Sequence, residues 1–396
     1  MNRRKFLKQS SLASSLFFVP SFVKAFEQVA QSQLGYKRLV IIQLSGGNDG
    51  LNTVIPYEND IYYKARPILG IKKADVLKLT DEVGLHKSLK PLKNLYDNGD
   101  LCIINNVGYP NPVRSHFRSM DIWQTATDSD KYSQSGWLGR YLDQHGKHPS
   151  SAIEINDSLS LAMKGETMNA IATQDAGTLY NLSKDPYIKN VIKHQNDAHL
   201  SEHNLGYLYK SMISAESSAK YIFETSETFT SKTEYPQNYF AKQLKTTAKF
   251  INSGLDTKVF YNALGGFDTH ANQLNAQNRL LNMYAESIDA FVKDLKANNT
   301  FNDTLILTFS EFGRRVKQNA SVGTDHGTAN NVFVMGGQLK KQGLYNNMAS
   351  LSNLDDNGDL KFEIDFRTIY ATVLNKWLEV DDKNVLGKSF NRLGFV

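Results

Sequence analysis

The sequence predicts an α/β protein whose mostly parallel central sheet is covered by helices on both faces. Apolar, β-branched runs recur along the chain and commonly stop at glycine, asparagine or aspartate; they span residues 38–44, 101–107, 152–155, 258–263, 305–309 and 332–335. These runs are nearly continuous rather than alternating, which is typical of strands buried on both faces.

Helical patterns lie between these strands. Residues 277–298 carry apolar side chains at helical spacing between two of the strands, which predicts a βαβ unit with parallel strands. Residues 366–378 form a second amphipathic stretch. Residues of about 165–250 are polar and rich in lysine, serine and asparagine, so we expect a mostly helical lobe inserted into one domain of residues 36–396.

The amino terminus has the pattern of a twin-arginine export signal. It begins with the basic run Arg3-Arg4-Lys5-Phe6-Leu7-Lys8 and continues with an apolar stretch to residue 23. That stretch is too short for a membrane span, which needs about 20 apolar residues. Residues 1–25 are therefore predicted to be a Tat signal peptide, removed on export to the periplasm or the cell surface, and no transmembrane anchor is expected.

Charge and cysteine content argue against nucleic-acid binding and against a disulfide. The formal net charge is +5, and the five positive charges within residues 1–25 account for all of it, so the rest of the chain is close to neutral. A neutral chain with no clustered basic face gives no reason to expect nucleic-acid binding. The single cysteine, Cys102, lies in an apolar run and is predicted to be a buried core residue without a disulfide.

Ligands of a parallel sheet bind beyond the carboxyl ends of its strands, so the residues after each apolar run are informative. Asp49 follows the first run in a glycine-rich segment, where a tight turn is the alternative interpretation. Asp268 and His270 follow another run two residues apart, and on an extended segment they point the same way. A carboxylate beside an imidazole suits a divalent metal, whereas helix capping explains only the aspartate.

Two further segments carry the same residue types. Glu311 directly follows a strand, where a buried carboxylate needs either a cation or an arginine such as Arg314. Asp325 and His326 precede the strand at 332–335. Carboxylates and imidazoles recurring at the strand ends predict a metal site there.

The segment after residues 101–107 combines cations, a hydroxyl and an imidazole in Arg114, Ser115, His116 and Arg118. The alternative there is a helix start capped by Ser115. Residues 355–359 resemble a calcium loop but lack its terminal glutamate, so a plain turn is the better prediction.

Five segments of the chain resemble one known family: QLSGGNDGLNT, RSHFRSMDIWQ, GGFDTHANQ, SEFGRR and TDHGTANN. They are similar, in the same order, to the bacterial, twin-arginine-exported domain-of-unknown-function family 1501. That family is grouped with the alkaline phosphatase and sulfatase superfamily. The resemblance implies a three-layer α/β/α sandwich of the alkaline phosphatase type and metal-dependent hydrolysis of phosphate or sulfate esters.

The resemblance also implies roles for single residues. The implied metal ligands are Asp49, Asp268, His270, Glu311 and His326, and Ser115 falls where a nucleophile is expected. Phe312 stands where the superfamily has a paired histidine, so one ligand is missing or is replaced by His116 or Asp325. No C-x-P-x-R segment exists, which excludes the formylglycine of true sulfatases.

The expected function is therefore hydrolysis of a small-molecule or glycan ester with a divalent ion such as zinc, manganese or calcium. Asp268, His270 and His326 would hold one ion, and a second would use Asp49 and Glu311 to activate Ser115. The anionic group would be bound by arginines: Arg114, Arg118 or Arg314. The alternative, favoured by Phe312, is a catalytically degenerate module of the cell envelope that binds glycans or proteins.

Overall fold

Strands and helices alternate along the computed structural model, which describes residues 35–186, 189–190 and 204–396. The strands are β1 (Arg38–Leu44), β2 (Val54–Ile55), β3 (Val76–Lys78), β4 (Gly84–His86), β5 (Leu101–Gly108), β6 (Ala152–Glu154), β7 (Ile171–Ala172), β8 (Val259–Leu264), β9 (Thr304–Phe309), β10 (Asn330–Met335), β11 (Gly343–Leu344) and β12 (Ile364–Asp365). The helices are α1 (Asp60–Ala65), α2 (Lys90–Asp97), α3 (His116–Thr125), α4 (Trp137–His145), α5 (Ala176–Ser183), α6 (Asn204–Ser226), α7 (Tyr239–Asn252), α8 (Gln273–Ala297), α9 (Phe366–Thr372) and α10 (Asp382–Leu386). The predicted signal peptide, residues 1–25, lies outside the described residues.

A nine-stranded sheet forms the centre, with the order β11-β5-β10-β9-β1-β8-β6-β7 and β12 beside β5. All its neighbouring strands run parallel except β10, which is antiparallel to both β5 and β9. The predicted mostly parallel sheet is thus confirmed. Three short strands, β2, β4 and β3, form a separate antiparallel sheet.

The predicted βαβ unit is present, but its two strands are not neighbours. Helix α8 connects β8 to β9, and β1 lies between these strands, pairing with each of them in parallel. The sequence pattern predicted the parallel direction correctly, since it depends on the helical crossover. The pattern did not predict that β1, which comes from the opposite end of the chain, lies between β8 and β9.

Helices cover both faces of the sheet and complete three layers. Alternate residues of β1 enter two different hydrophobic clusters, Val40 and Ile42 in one and Leu39 and Ile41 in the other. The first cluster includes apolar residues of α2, α7 and α8, and the second those of α3, α4, α9 and α10. Burial on both faces explains why the strand sequences are continuously apolar.

The region predicted as an inserted lobe holds β7 and three helices, α5, α6 and α7, in its described part. Strand β7 extends the sheet beside β6, and the apolar side of α7, with Phe240 and Leu244, packs in the same hydrophobic cluster as α8. The boundaries of the insertion stay a prediction. In the part of the chain that the structure describes, no helix combines the length and the apolar character needed to cross a membrane.

Candidate metal centre

Five segments of the chain meet at one edge of the central sheet. They follow β1, β5, β8 and β9, and the fifth precedes β10. Because β10 runs opposite to β9, its beginning lies at the edge where the parallel strands end. The strand ends singled out from the sequence are therefore neighbours in space.

The side chains of His116, Asp268, His270 and His326 converge at this edge. Asp268 Oδ1 lies 3.2 Å from Nε2 of His116, 2.9 Å from Nε2 of His270 and 3.3 Å from Nε2 of His326. The Nε2 atoms of His270 and His326 are 2.9 Å apart. Sequence reasoning placed three of these residues together as ligands of one ion and offered His116 as a replacement ligand.

Each of the three imidazole rings is held from behind at its other nitrogen. Nδ1 of His116 lies 2.7 Å from Oε1 of Glu311, and Nδ1 of His326 lies 2.7 Å from the carbonyl oxygen of Arg114. Nδ1 of His270 lies 3.3 Å from Oδ1 of Asp325. An acceptor at Nδ1 orients the ring and directs the lone pair of Nε2 away from it, which is the usual support of a metal-binding histidine.

The protonation of His326 follows from this arrangement. A carbonyl oxygen only accepts hydrogen bonds, so Nδ1 of His326 carries the proton donated to Arg114. Burial lowers the pKa of His326, so the ring is neutral at pH 7 and its Nε2 bears a lone pair. That lone pair faces the carboxylate of Asp268, and a cation between them would remove the repulsion.

His116 directs a second buried nitrogen at Asp268. Its Nε2 atom lies 3.2 Å from Oδ1 of Asp268 and makes no hydrogen bond of good geometry among the described residues. The hydrogen bond to Glu311 outweighs burial and raises the pKa of His116. A proton and a metal ion would therefore compete for this nitrogen.

The donor set fits a small divalent cation. Imidazole nitrogens with one carboxylate suit zinc and similar transition metals, whereas calcium takes oxygen ligands. With metal–ligand bonds of about 2.0–2.2 Å in a tetrahedron, neighbouring ligand atoms lie about 3.3 Å apart. The distances of 2.9–3.3 Å around Asp268 Oδ1 approach this value. His116, Asp268 and His326 form a candidate metal centre, since their ligand atoms all lie within 4.8 Å of one another. His270 adjoins it, with Nε2 2.9 Å from Oδ1 of Asp268 and 2.9 Å from Nε2 of His326.

Arg314 is buried beside this centre, and its guanidinium binds groups of the protein itself. Its nitrogens donate to backbone carbonyl oxygens, those of Gly46, Gly47, Phe267 and Thr324. Nη2 also lies 2.7 Å from Oδ1 of Asp268. Burial would raise the pKa of Asp268, but the hydrogen bonds and charges of Arg314 and His116 together hold that pKa well below its usual range. These contacts position Asp268 and support the loop, and the predicted role of Arg314 in binding a substrate anion stays a prediction.

Asp49 is not brought to the cluster. Its carboxylate is buried and bound in two places by Arg66, with Nη1–Oδ2 at 2.6 Å and Nη2–Oδ1 at 3.0 Å. Gln273 also donates to it. Arg66 binds both oxygens of this carboxylate, whereas Arg314 contacts only Oδ1 of Asp268, so the structure does not bring Asp49 to the cluster. A second ion held by Asp49 and Glu311 stays a prediction.

Glu311 and Asp325 support the imidazoles from outside the cluster. Glu311 is fully buried, and besides His116 it accepts from the backbone N–H of Gly46 at 2.9 Å. Asp325 is exposed and also accepts from Asn319 at 3.1 Å, a bond that lowers its pKa. The prediction made both carboxylates metal ligands, but their closest contacts at the centre are with Nδ1 atoms.

The turn after β1 can approach the centre only because it contains glycine. Gly46 has a φ of +117°, and a Cβ atom there would lie 2.5 Å from the backbone nitrogen of Asp268. Any larger residue would push Asp268 away from the imidazoles. The glycines of the predicted ligand segment therefore serve close packing of the backbone.

Ser115 and Arg114 precede α3, the helix that begins with His116. Ser115 is exposed, and its side chain does not cap the helix, so the capping alternative does not account for it. Arg114 is bound by carboxylates, with Asp355 at 3.1 Å and Asp359 closer still. Residues 355–359 form a turn that anchors this arginine.

Phe312 and Arg118, also singled out from the sequence, each make a contact with an aromatic or imidazole ring. Phe312 packs its ring against those of His116 and His326, with centroids 4.7 and 4.9 Å apart, so it forms a wall of the centre. Arg118 lies over the ring of Tyr132 at 3.8 Å and donates to the carbonyl oxygen of Ser129 at 3.0 Å.

Sequence reasoning missed Arg66 and the two glutamines Gln273 and Gln277. The arginine precedes a proline in a polar stretch, which offers no signal for burial. The glutamines are four residues apart on the buried side of α8 and donate to Asp49. A polar pair on an otherwise apolar helix face was a usable signal, since buried amides need partners.

Fold and site together define an α/β protein with a candidate histidine–aspartate metal centre at the edge of its sheet. The sequence profile of one family, described as "Protein of unknown function (DUF1501)", matches residues 99–390. The chain therefore belongs to the DUF1501 family. No curated protein matches the chain.

Several solved structures are similar to this chain over most of its length. The PsFucS1 sulfatase from Pseudoalteromonas sp. is 12% identical with a TM-score of 0.42, covering 93% of this chain and 74% of that one. The lipoteichoic acid synthase LtaP from Listeria monocytogenes is 10% identical with a TM-score of 0.38, covering 79% and 69%. A mutant TAB5 alkaline phosphatase with Mg bound is 9% identical with a TM-score of 0.36, covering 76% and 91%. With scores of this size, the function has to be inferred from the side chains of this chain.

Proposed function

We propose that the chain is a metal-dependent hydrolase of phosphate or sulfate esters, with one divalent ion held by His116, Asp268, His270 and His326. The observation that carries the proposal is the approach of three Nε2 atoms to within 3.3 Å of Asp268 Oδ1. The nitrogen-rich donor set favours zinc or a similar transition metal over calcium.

A bound ion would supply Lewis-acid stabilisation of the negative charge on the ester oxygens. The chain's own groups do the rest. Glu311, Asp325 and the carbonyl oxygen of Arg114 fix the three rings, and Arg314 keeps Asp268 ionised. Phe312 excludes water from one side of two of the rings.

Ser115 is the proposed nucleophile. Its exposed hydroxyl stands one residue before His116, at the start of the ten-residue helix α3. The free N–H groups of the first turn favour an anionic group there. Attack by the hydroxyl oxygen would form a bond from Ser115 to phosphorus or sulfur as the bond to the alcohol oxygen breaks, and the serine proton would pass to the departing alcohol. Water would then cleave this serine ester, which releases phosphate or sulfate and restores the hydroxyl.

Metal analysis of the purified protein tests the proposal. We expect one equivalent of a transition metal, lost in His270→Ala and kept in His145→Ala, a histidine at the exposed end of α4. Hydrolysis of 4-nitrophenyl phosphate or 4-nitrophenyl sulfate should be lost when the metal is removed. A metal-free wild-type protein that hydrolyses neither ester would overturn the proposal.

A second candidate function is a binding module without catalysis. It is favoured by the commitment of Arg314 and Asp49 to partners within the protein, which leaves few charged groups free for chemistry. The same experiment separates the two candidates, because a module that only binds glycans or proteins would turn over neither ester.

We propose, in addition, that residues 1–25 direct export through the twin-arginine pathway. The support is the basic twin-arginine run followed by a short apolar stretch. Replacing Arg3 and Arg4 by lysine in the full chain should retain the protein inside the cell, and cell fractionation would detect it. Unchanged export of this variant would contradict the proposal.

A further inference from the structure

A cavity of about 250 Å³ adjoins the metal centre. Its main lining residues are mostly apolar: Tyr109, Pro112, Phe312, Thr328, Leu360 and Phe362. Phe312 is shared, since its ring also packs against His116 and His326. The cavity and the centre are therefore neighbouring parts of one surface, separated by a single ring.

The hydroxyl groups that line the cavity are already occupied. The Tyr109 hydroxyl is 2.5 Å from that of Ser119 and accepts from the backbone N–H of Val113 at 3.2 Å. The Thr328 hydroxyl donates to the carbonyl oxygen of Leu360. Neither group needs a ligand to complete its hydrogen bonds, so the cavity offers a bound molecule mainly carbon surface.

Two charged residues also line the cavity, Asp355 and Lys361, and their side chains are paired in the same way. Asp355 binds Arg114 at 3.1 Å and accepts from the backbone N–H of Asn357 at 2.9 Å. Lys361 donates to Asn353 at 2.8 Å. A sugar ring placed here would lose hydrogen bonds to water without regaining them, which is costly for each hydroxyl.

We propose that this cavity binds an aromatic ring, and that the ester acted on at the metal centre is an aryl ester. The second half of this inference rests on the proposed function, whereas the binding of the ring does not. A cavity of roughly 150 Å³ with apolar walls accommodates benzene, so the present one has room for a single substituted ring. Phe312 would then contact the ring on one side and the imidazoles on the other.

Fluorine NMR with 4-fluorophenol tests the cavity without requiring the metal. We expect the wild-type protein to bind 4-fluorophenol and to show no binding of 2-deoxy-2-fluoroglucose at equal concentration. Phe362→Trp places a larger ring at a half-buried position of the lining and should weaken binding about tenfold or more. Phe229→Trp, the same change at a half-buried phenylalanine outside the lining, should leave binding unchanged.

The outcomes separate the cavity from the proposed function. Binding of the fluorosugar as tight as that of 4-fluorophenol, or equal binding by wild type and a folded Phe362→Trp variant, would overturn the aromatic site. Hydrolysis of 4-nitrophenyl esters that is unaffected by Phe362→Trp would overturn the aryl-ester assignment and leave the hydrolase proposal standing. Binding of 4-fluorophenol by a metal-free, inactive protein would keep the aromatic site and remove the hydrolase.

Discussion

Asp49 and Arg66 form a buried ion pair with two short contacts, and neither side chain has more than 1% of its surface exposed. The guanidinium also donates to the backbone carbonyl oxygens of Val316 at 2.9 Å and Arg315 at 2.8 Å. The pair thus connects the turn after β1 to the segment after β9, two of the segments that meet at the metal centre.

Removing one member of this pair should be strongly destabilising. Arg66→Met leaves the Asp49 carboxylate buried without its cation, and we expect a loss of about 3–5 kcal/mol in the free energy of unfolding. Lys73→Met serves as the control, because its ion pair with Glu58 is exposed to solvent and should contribute little to the free energy of unfolding. Urea denaturation of both variants measures the difference, and equal losses would show that the pair has no special weight.

The hydrogen bond between Glu311 and His116 should increase the affinity of the protein for metal. Glu311→Gln keeps an oxygen that can accept from Nδ1 but removes its charge, so zinc binding is expected to weaken by about 10–100-fold. Glu363→Gln makes the same change at an exposed residue and should leave the affinity unchanged. Isothermal titration calorimetry is the measurement, and identical affinities for the two variants would contradict the supporting role.

His86 should make the protein sensitive to mild acid. Burial lowers its pKa to about 4 from the ordinary value of 6.5, so the folded protein keeps the ring neutral while the unfolded chain protonates it. Stability contributed by the neutral ring is complete above pH 6.5 and is lost as the pH falls toward 4, by roughly 3 kcal/mol.

The variant His86→Asn tests this pH dependence. Its side-chain oxygen can accept from the N–H of Ser88, as Nδ1 of His86 does at 3.2 Å. The loss of unfolding free energy between pH 7 and pH 4.5, from chemical denaturation, should be smaller in the variant than in wild type. The same loss in both proteins would assign the acid sensitivity to other groups.

Cys102 should be unreactive in the folded protein. The thiol is buried in β5, and burial raises its pKa to about 12, so almost no thiolate exists at pH 8. Iodoacetamide should leave the native protein unmodified and alkylate it after unfolding in guanidinium, as mass spectrometry would detect. Rapid alkylation of the native protein would mean that β5 opens readily.

The sequence predicted the central strands well because burial on both faces leaves a direct signature in composition. Each of the six predicted runs corresponds to a strand of the sheet, with boundaries shifted by at most a few residues. The reversed direction of β10 was not predictable, because apolar composition carries no information on strand direction.

The same contrast holds at the candidate site. Asp268, His270 and His326 were recognisable because imidazoles beside carboxylates at strand ends have few structural explanations. The role of Asp49 was not, because its partner Arg66 comes from a different element and only the tertiary packing brings the two together. A carboxylate that binds a metal and one that binds a guanidinium look alike in sequence.

The reversed direction of β10 has one more consequence. A single loop, from the end of β9 to the start of β10, leaves the sheet and returns to it at the same edge. It is closed across its base by backbone hydrogen bonds, from Gly313 to Thr328 at 2.8 Å and from Arg315 to Asp325 at 3.0 Å. Arg314 and His326 therefore face each other in an antiparallel bridge of the main chain. Binding of the proposed ion would therefore need little further ordering of this loop.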